Sequence, residues 1–412
     1  MSTNNLYRGL FELLTAPRGA DEAALSLAAT QAQRRELLSV ARMEGCLPEL
    51  YARWAAASLL SPSESVEHEQ LVRHRASAVE VRRVLPRGAL LAGATGLQRE
   101  SSTLDVLIAD FAAIGPLHEA VTRIGYRLEG AGEWLVPARG SAHRGVATYH
   151  YAARSMNTGA VSIAVQVGGV ALDARRHLLF PDLAEQAPRL AGSACRTLEP
   201  TRDLLYRIAT IGAVPAPVTV RQIADLHLLL KSHADRIDHA WLHRKVEQLE
   251  AWNGLRQIRD AIVAKRLSAL LSWGEFGRLI EVGVARAEAL AAQRSSRPRA
   301  GTLLKGAFDL LQGPRSDDIA AKLARTPWLV SSVLSAGYRV RGVPVLSKTF
   351  DAPRLLRIDG ALYLATGAGL ILLSLVDLLH GARAELGERV RASNRPVVLA
   401  RWGGGRARAG TR

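Results

Sequence analysis

Residues 89–126 read ALLAGATGLQRESSTLDVLIADFAAIGPLHEAVTRIGY, and this stretch decides the fold. A short apolar run ends at Gly93, a second apolar run carries Asp105, a helical segment follows, and Gly125 and Tyr126 close the unit. The order predicted is strand, turn, strand, helix. Such a unit sets a glycine turn beside an acidic strand, an arrangement that brings phosphates and a hard cation together. Glycine is the residue for a turn that needs positive φ, so Gly93 reads equally as a tight turn without a ligand and as a phosphate cradle.

Particular positions carry a resemblance. Leu90, Leu91, Gly93 and Ala94, then Arg99, Ser102, Leu104, Asp105, Leu107 and Ile108, then Gly125 and Tyr126 are similar to the pattern of the uncharacterised bacterial nucleotidyltransferases within the nucleotidyltransferase superfold. That family carries Lys before the turn glycine and two Asp at i and i+2 on the next strand. Here Ala92 stands for the Lys and Thr103 for the first Asp, so only Asp105 of the pair is present. Residues i and i+2 of a strand share a face, which is why paired carboxylates there can chelate one cation. The resemblance implies an NTP and Mg2+ as the ligands. Gly93, Ala94, Arg99 and Ser102 would line the nucleotide turn, and Asp105, with the hydroxyl of Thr103, would hold the metal as the catalytic pair. A third carboxylate is expected on a later strand. The candidate strand, 160–167, offers Ser162, Ala164 and Gln166 on one face and Asp173 beyond it. Asp110 reads as the cap of a helix starting near Phe111, and His143 and His150 as sheet-face or surface histidines.

The resemblance extends downstream. TLEPTRDLLYRIATIG, from Thr197, matches through Leu198, Asp203, Leu204 and Leu205, and the following helices match through Arg221, Asp225, Leu229, Leu230, Ile237, Asp238 and Leu242. Arg221 and Asp225, four apart on one helix face, can pair, either as a structural salt bridge or as groups behind the nucleotide. His227, His233, His239 and His243 are spaced six, six and four, which is no recognised metal-ligand pattern.

Composition bounds the rest. The 412 residues are 48% apolar and 22% charged, a globular balance with room for two to three domains. The formal charge of +16 points first to nucleic acid, but only six of the 54 basic residues are Lys. An Arg and Ala excess of that kind reads as the codon bias of a high-GC genome, and nucleic acid is the lesser expectation. Two distant cysteines, Cys46 and Cys195, and the polar residues in MSTNNLYRGLFELL predict a reduced, cytoplasmic chain without a signal peptide. The uncharged run 361–376 is short of the roughly 20 residues that span a bilayer, and predicts a buried helix or a strand pair rather than membrane association.

The fold expected is α/β (α+β), with a small mixed sheet of nucleotidyltransferase type, of about four or five strands, flanked by helical regions. The expected domains are an N-terminal helical region at 1–86, the α/β core at 87–180, a helical domain at 181–293, and a C-terminal region of unknown type with a basic tail at 302–412. Residues 294–301, RSSRPRAG, read as the linker. Two functions follow from the resemblance. One is transfer of a nucleoside monophosphate from an NTP to an unknown acceptor with Mg2+. The other is a degenerate pseudoenzyme that keeps the fold as a nucleotide-sensing or partner-binding scaffold in a biosynthetic or modification pathway.

Overall fold

The computed structural model describes residues 3–15, 31–93, 103–109, 113–129, 132–136, 146–153, 161–172, 176–213, 216–271, 273–295, 338–346, 354–358, 361–366 and 369–373. Ala94, Arg99, Ser102, Asp110, His143 and Asp173 lie outside them.

Four helices precede the sheet: α1 (Thr3–Thr15), α2 (Gln31–Met43), α3 (Leu47–Ala56) and α4 (Pro62–Val84). The start of α4 is fixed by Ser61, whose hydroxyl accepts from the Glu64 amide while the Glu64 side chain accepts from the Ser61 amide. That reciprocal pair satisfies amides the first turn would leave without partners. Arg34 donates to the same Glu64 carboxylate, and together these bonds hold its pKa down at about 2 against the cost of burial.

The sheet begins with β1 (Leu90–Leu91), β2 (Thr103–Ile108), α5 (Ile114–Arg123), β3 (Tyr126–Leu128), β4 (Gly132–Val136), β5 (Val146–Ala153) and β6 (Ser162–Val167). Next come β7 (Gly169–Ala171), β8 (His177–Leu179), a short α6 (Phe180–Ala184) and β9 (Arg196–Thr197). Helices α7 (Pro200–Ala213), α8 (Val220–Ser232), α9 (His239–Leu249), α10 (Trp252–Ala264) and α11 (Gly274–Ser295) follow. The last strands are β10 (Tyr338–Leu346), β11 (Arg354–Ile358), β12 (Ala361–Thr366) and β13 (Gly369–Leu373).

The chain is therefore an α+β protein with a mixed sheet flanked by helices. Strand β2 runs parallel to β6 and antiparallel to β1, and β5 is antiparallel to β6. The strand order is β11-β12-β13-β10-β4-β5-β6-β2-β1-β9, with β3 on β5. This is longer than the four or five strands expected, because β10 pairs with β4 and brings β11–β13 into the same sheet. The apolar run 361–376 supplies β12 and β13, an antiparallel strand pair. Among the described residues no helix is long and apolar enough to cross a membrane.

The period-2 alternation sorts the sheet's two faces. Leu104, Val106, Ile108, Tyr149, Tyr151, Ile163 and Val165 lie on one face and pack with Val81 of α4 and with Leu117 and Val121 of α5. On the other face Leu90 and Leu107 join a second core that runs through α1, α2, α3 and α7 to α11. Helices before and after the sheet thus share one core. Glu44 ties them further: its carboxylate, 7% exposed, accepts from the Val220 amide at 2.6 Å at the start of α8 and pairs with Lys265 at the end of α10.

Candidate functional site

The site lies where the second face of the sheet meets α7. Register places Asp105, Ala164 and His150 on one rung across β2, β6 and β5. Thr103 and Ser162 form the next rung, their hydroxyls 2.7 Å apart in a mutual hydrogen bond. Leu107, Gln166 and Thr148 form the rung on the other side. On these three strands Asp105 is the one carboxylate of that face. The nearest acidic positions along the sheet are Glu129, whose amide donates to the His150 carbonyl just past β3, and Glu133 on β4 opposite Thr148, each three strand spacings from β2, or about 14 Å.

Helix α7 brings the other charges. Glu199 fixes its first turn by accepting from the Thr201 amide at 3.0 Å and from the Thr201 hydroxyl at 3.2 Å. The helix then presents Asp203, Tyr206 and Arg207, at i, i+3 and i+4, as neighbours on one face. Asp203 is fully buried, and its Oδ1 accepts from the Gly93 amide at 3.1 Å. Its Oδ2 accepts from Arg207 Nη2 at 3.3 Å. Arg207 Nη1 lies 3.9 Å from Asp225, Arg221 Nε lies 4.0 Å from Asp225, and Arg221 reaches Glu49 at 3.5 Å and the Gly45 carbonyl at 2.9 Å. The Arg221–Asp225 pair expected on α8 therefore exists as the middle of a charge chain that ends on the Gly93 turn. Burial alone would depress Arg207, but Asp203 and Asp225 outweigh it and raise its pKa.

Gly93 has φ of +72°, and a Cβ there would lie 3.5 Å from Arg207 Nη2. The turn is held from the sheet as well, since the Ala92 amide donates to the Asp105 carbonyl at 3.1 Å and the Thr197 hydroxyl to the Leu91 carbonyl at 3.3 Å. The Gly93 amide, expected at a phosphate, is engaged here by a carboxylate of the protein.

Asp105 is itself perturbed. Burial raises its carboxyl to about 6, opposed by the Tyr206 hydroxyl and by the charges of Arg207 and His150. Tyr206 is buried beside it, with its hydroxyl short of a hydrogen bond of standard geometry, and burial together with the Asp105 charge raises the phenol's pKa.

These residues do not fit Mg2+. The ion demands near-octahedral oxygen coordination and is bound through one or two carboxylates with waters and phosphate oxygens, and nucleotidyl transfer with two cations needs a larger carboxylate set. Here one carboxyl, two hydroxyls bonded to each other and an alanine share the floor, with a guanidinium across from them. Asp203, the second acidic group of the site, is already spanned by Gly93 and Arg207. Among the described residues no three His, Cys, Asp or Glu side chains converge as a metal centre. The four downstream histidines do not gather: His227 accepts from Trp273 Nε1 at 3.2 Å, and His243 packs edge-on against Trp252.

Of the residues expected at the site, the structure brings together Gly93, Thr103 and Asp105. Asp203, Tyr206 and Arg207 were not expected there, although Asp203 stood among the positions that carry the resemblance. The three are over a hundred residues from the turn in sequence, and only the i, i+3, i+4 spacing of D-L-L-Y-R hinted at a shared face.

Compared with the profiles of protein families and with curated proteins, the chain matches none. Among solved structures it is similar to a candidate nucleotidyltransferase from H. pylori at 16% identity, over 56% of this chain and 99% of that one, with a TM-score of 0.28. A likeness at that level carries no weight for fold or activity.

Proposed function

We propose that the protein is a catalytically degenerate nucleotidyltransferase that serves as a metal-independent, nucleotide-sensing or partner-binding scaffold. The observation that carries this reading is the arrangement of the site's carboxylates: across β2, β6 and β5 Asp105 shares its face with Thr103, Ser162, Ala164, Gln166 and His150 and no second carboxylate, and Asp203, the other acidic group within its electrostatic reach, is bonded to the Gly93 amide and Arg207. The Gly93 turn, the acidic strand and the helices after the sheet support the relation to nucleotidyltransferases through the sequence pattern they carry. Metal-dependent nucleotidyl transfer needs carboxylates that fix one or two cations against the reacting phosphate, and such a set is missing among the described residues.

Calorimetric titration of the four NTPs into the protein, with and without Mg2+, tests this directly. Any heat observed is expected to be the same in both conditions and in Asp105→Asn. Mg2+-dependent binding that vanishes in the variant would overturn the reading in favour of an active transferase. Affinity for nucleic acid that falls steeply with salt and ignores Asp105 would replace it with an arginine-driven binder.

A further inference from the structure

The contact between Asp203 and the Gly93 turn has the chemistry of an anion subsite with its anion already present. Two donors converge on one buried carboxylate, the Gly93 amide at 3.1 Å and Arg207 Nη2 at 3.3 Å. A third donor, Arg207 Nε, is buried without a hydrogen-bond partner. An amide and a guanidinium with a spare N–H suit a tetrahedral oxyanion better than a planar carboxylate, which has two oxygens to offer. Gly93 has a positive φ and no side chain to stand between its amide and Arg207, whose Nη2 would lie 3.5 Å from a Cβ there. Arg207 would not be stranded if Asp203 swung away, because Asp225 remains 3.9 Å from Nη1.

We propose that Asp203 is an internal competitor: it occupies an oxyanion subsite formed by the Gly93 amide and the Arg207 guanidinium, and a phosphate group of a ligand binds there by displacing it. A tethered carboxylate acts at an effective concentration in the millimolar range or above, so free phosphate at lower concentration does not displace it. The subsite is thereby self-closed until a ligand with further contacts arrives. The proposal rests on the nucleotide-sensing reading for the identity of that ligand and uses no metal, so the two fail separately.

The test is titration of inorganic phosphate into wild type, Asp203→Ala and Asp203→Asn, in the presence of a chelator and at ionic strength matched with chloride, followed by binding heat and by thermal midpoint. Both variants are expected to bind phosphate at least about tenfold more tightly than wild type, alanine more than asparagine. Adding Arg207→Gln to Asp203→Ala is expected to abolish the gain. If the alanine variant lacks tertiary structure in chloride, its recovery in phosphate counts as binding. A folded asparagine variant with wild-type phosphate affinity overturns the proposal whatever the alanine variant does, as does a gain that survives Arg207→Gln. The same titration with adenosine monophosphate assigns the source: tighter than phosphate for a nucleotide, equal for free phosphate.

Discussion

Gly254→Ala is expected to destabilise the protein by about 3 kcal/mol, the upper end for an added methyl group in a packed interior. Helices α7 and α10 cross at two glycines. A Cβ on Gly254 would lie 2.0 Å from the Ile208 carbonyl oxygen and 3.1 Å from Ile208 Cγ2, and one on Gly212 would lie 2.8 Å from the Gly254 nitrogen. The obstacle at Gly254 is backbone, which cannot rotate aside as a flexible side chain can. Asn253 also ties the crossing by donating to the Gly212 carbonyl at 2.9 Å. Helix α7 must therefore move, and it carries Asp203, Tyr206 and Arg207, so the variant should lose the organisation of the site along with stability. Denaturant unfolding measures the first loss. Gly277→Ala in α11 is the control, because a Cβ there meets nothing within 4 Å. It should be neutral or gain up to about 1 kcal/mol from helix propensity. Equal stability of the two variants would contradict the crossing described here.

Asp105→Asn, by contrast, is expected to stabilise the protein, and only above the acid range. In the fold the carboxyl titrates at about 6, raised chiefly by burial from an ordinary value of 3.8. Below about pH 3 the group is protonated in folded and unfolded chains alike and contributes nothing. As pH rises toward 6 the unfolded chain ionises first, so the fold binds more protons and stability falls. Above pH 6 the penalty is complete. A shift of about two units, discounted for partial exposure of the side chain, corresponds to about 1–2 kcal/mol. Asparagine keeps the shape and carries no charge, so its unfolding free energy should exceed that of wild type by this amount at pH 8 and approach it at pH 3. A variant weaker than wild type at pH 8 would show that the charge is compensated in the fold. A carboxylate held at a cost to stability is a familiar mark of function, and here the function proposed does not use it as a metal ligand.

How much of this was legible in the sequence depends on the range of the interaction involved. The apolar run carrying Asp105 and the candidate strand 160–167 read as strands, and the two-residue period set Thr103 with Asp105 on the first and Ser162, Ala164 and Gln166 together on the second, because side-chain period is a local property; their pairing put both sets on one face. The apolar run 361–376 left a buried helix and a strand pair open, and pairing of β12 with β13 decides for the strands. The site was legible by half. Gly93 and Asp105 lie in one short unit, whereas Asp203 reaches the turn across 110 residues of chain, and no local pattern encodes which buried carboxylate will meet which amide. The length of the sheet was hidden similarly: pairing of 338–342 with 132–136 joins segments some two hundred residues apart, which no local pattern encodes.

The most direct measurement is binding of Mn2+ alone, in place of Mg2+, followed by water-proton relaxation on wild type and Asp105→Asn. Mn2+ takes the same oxygen ligands and reports its own coordination without any assumption about nucleotide or acceptor. The account predicts weak binding that is the same in both proteins. A saturable, stoichiometric site in wild type that disappears in Asp105→Asn would contradict it.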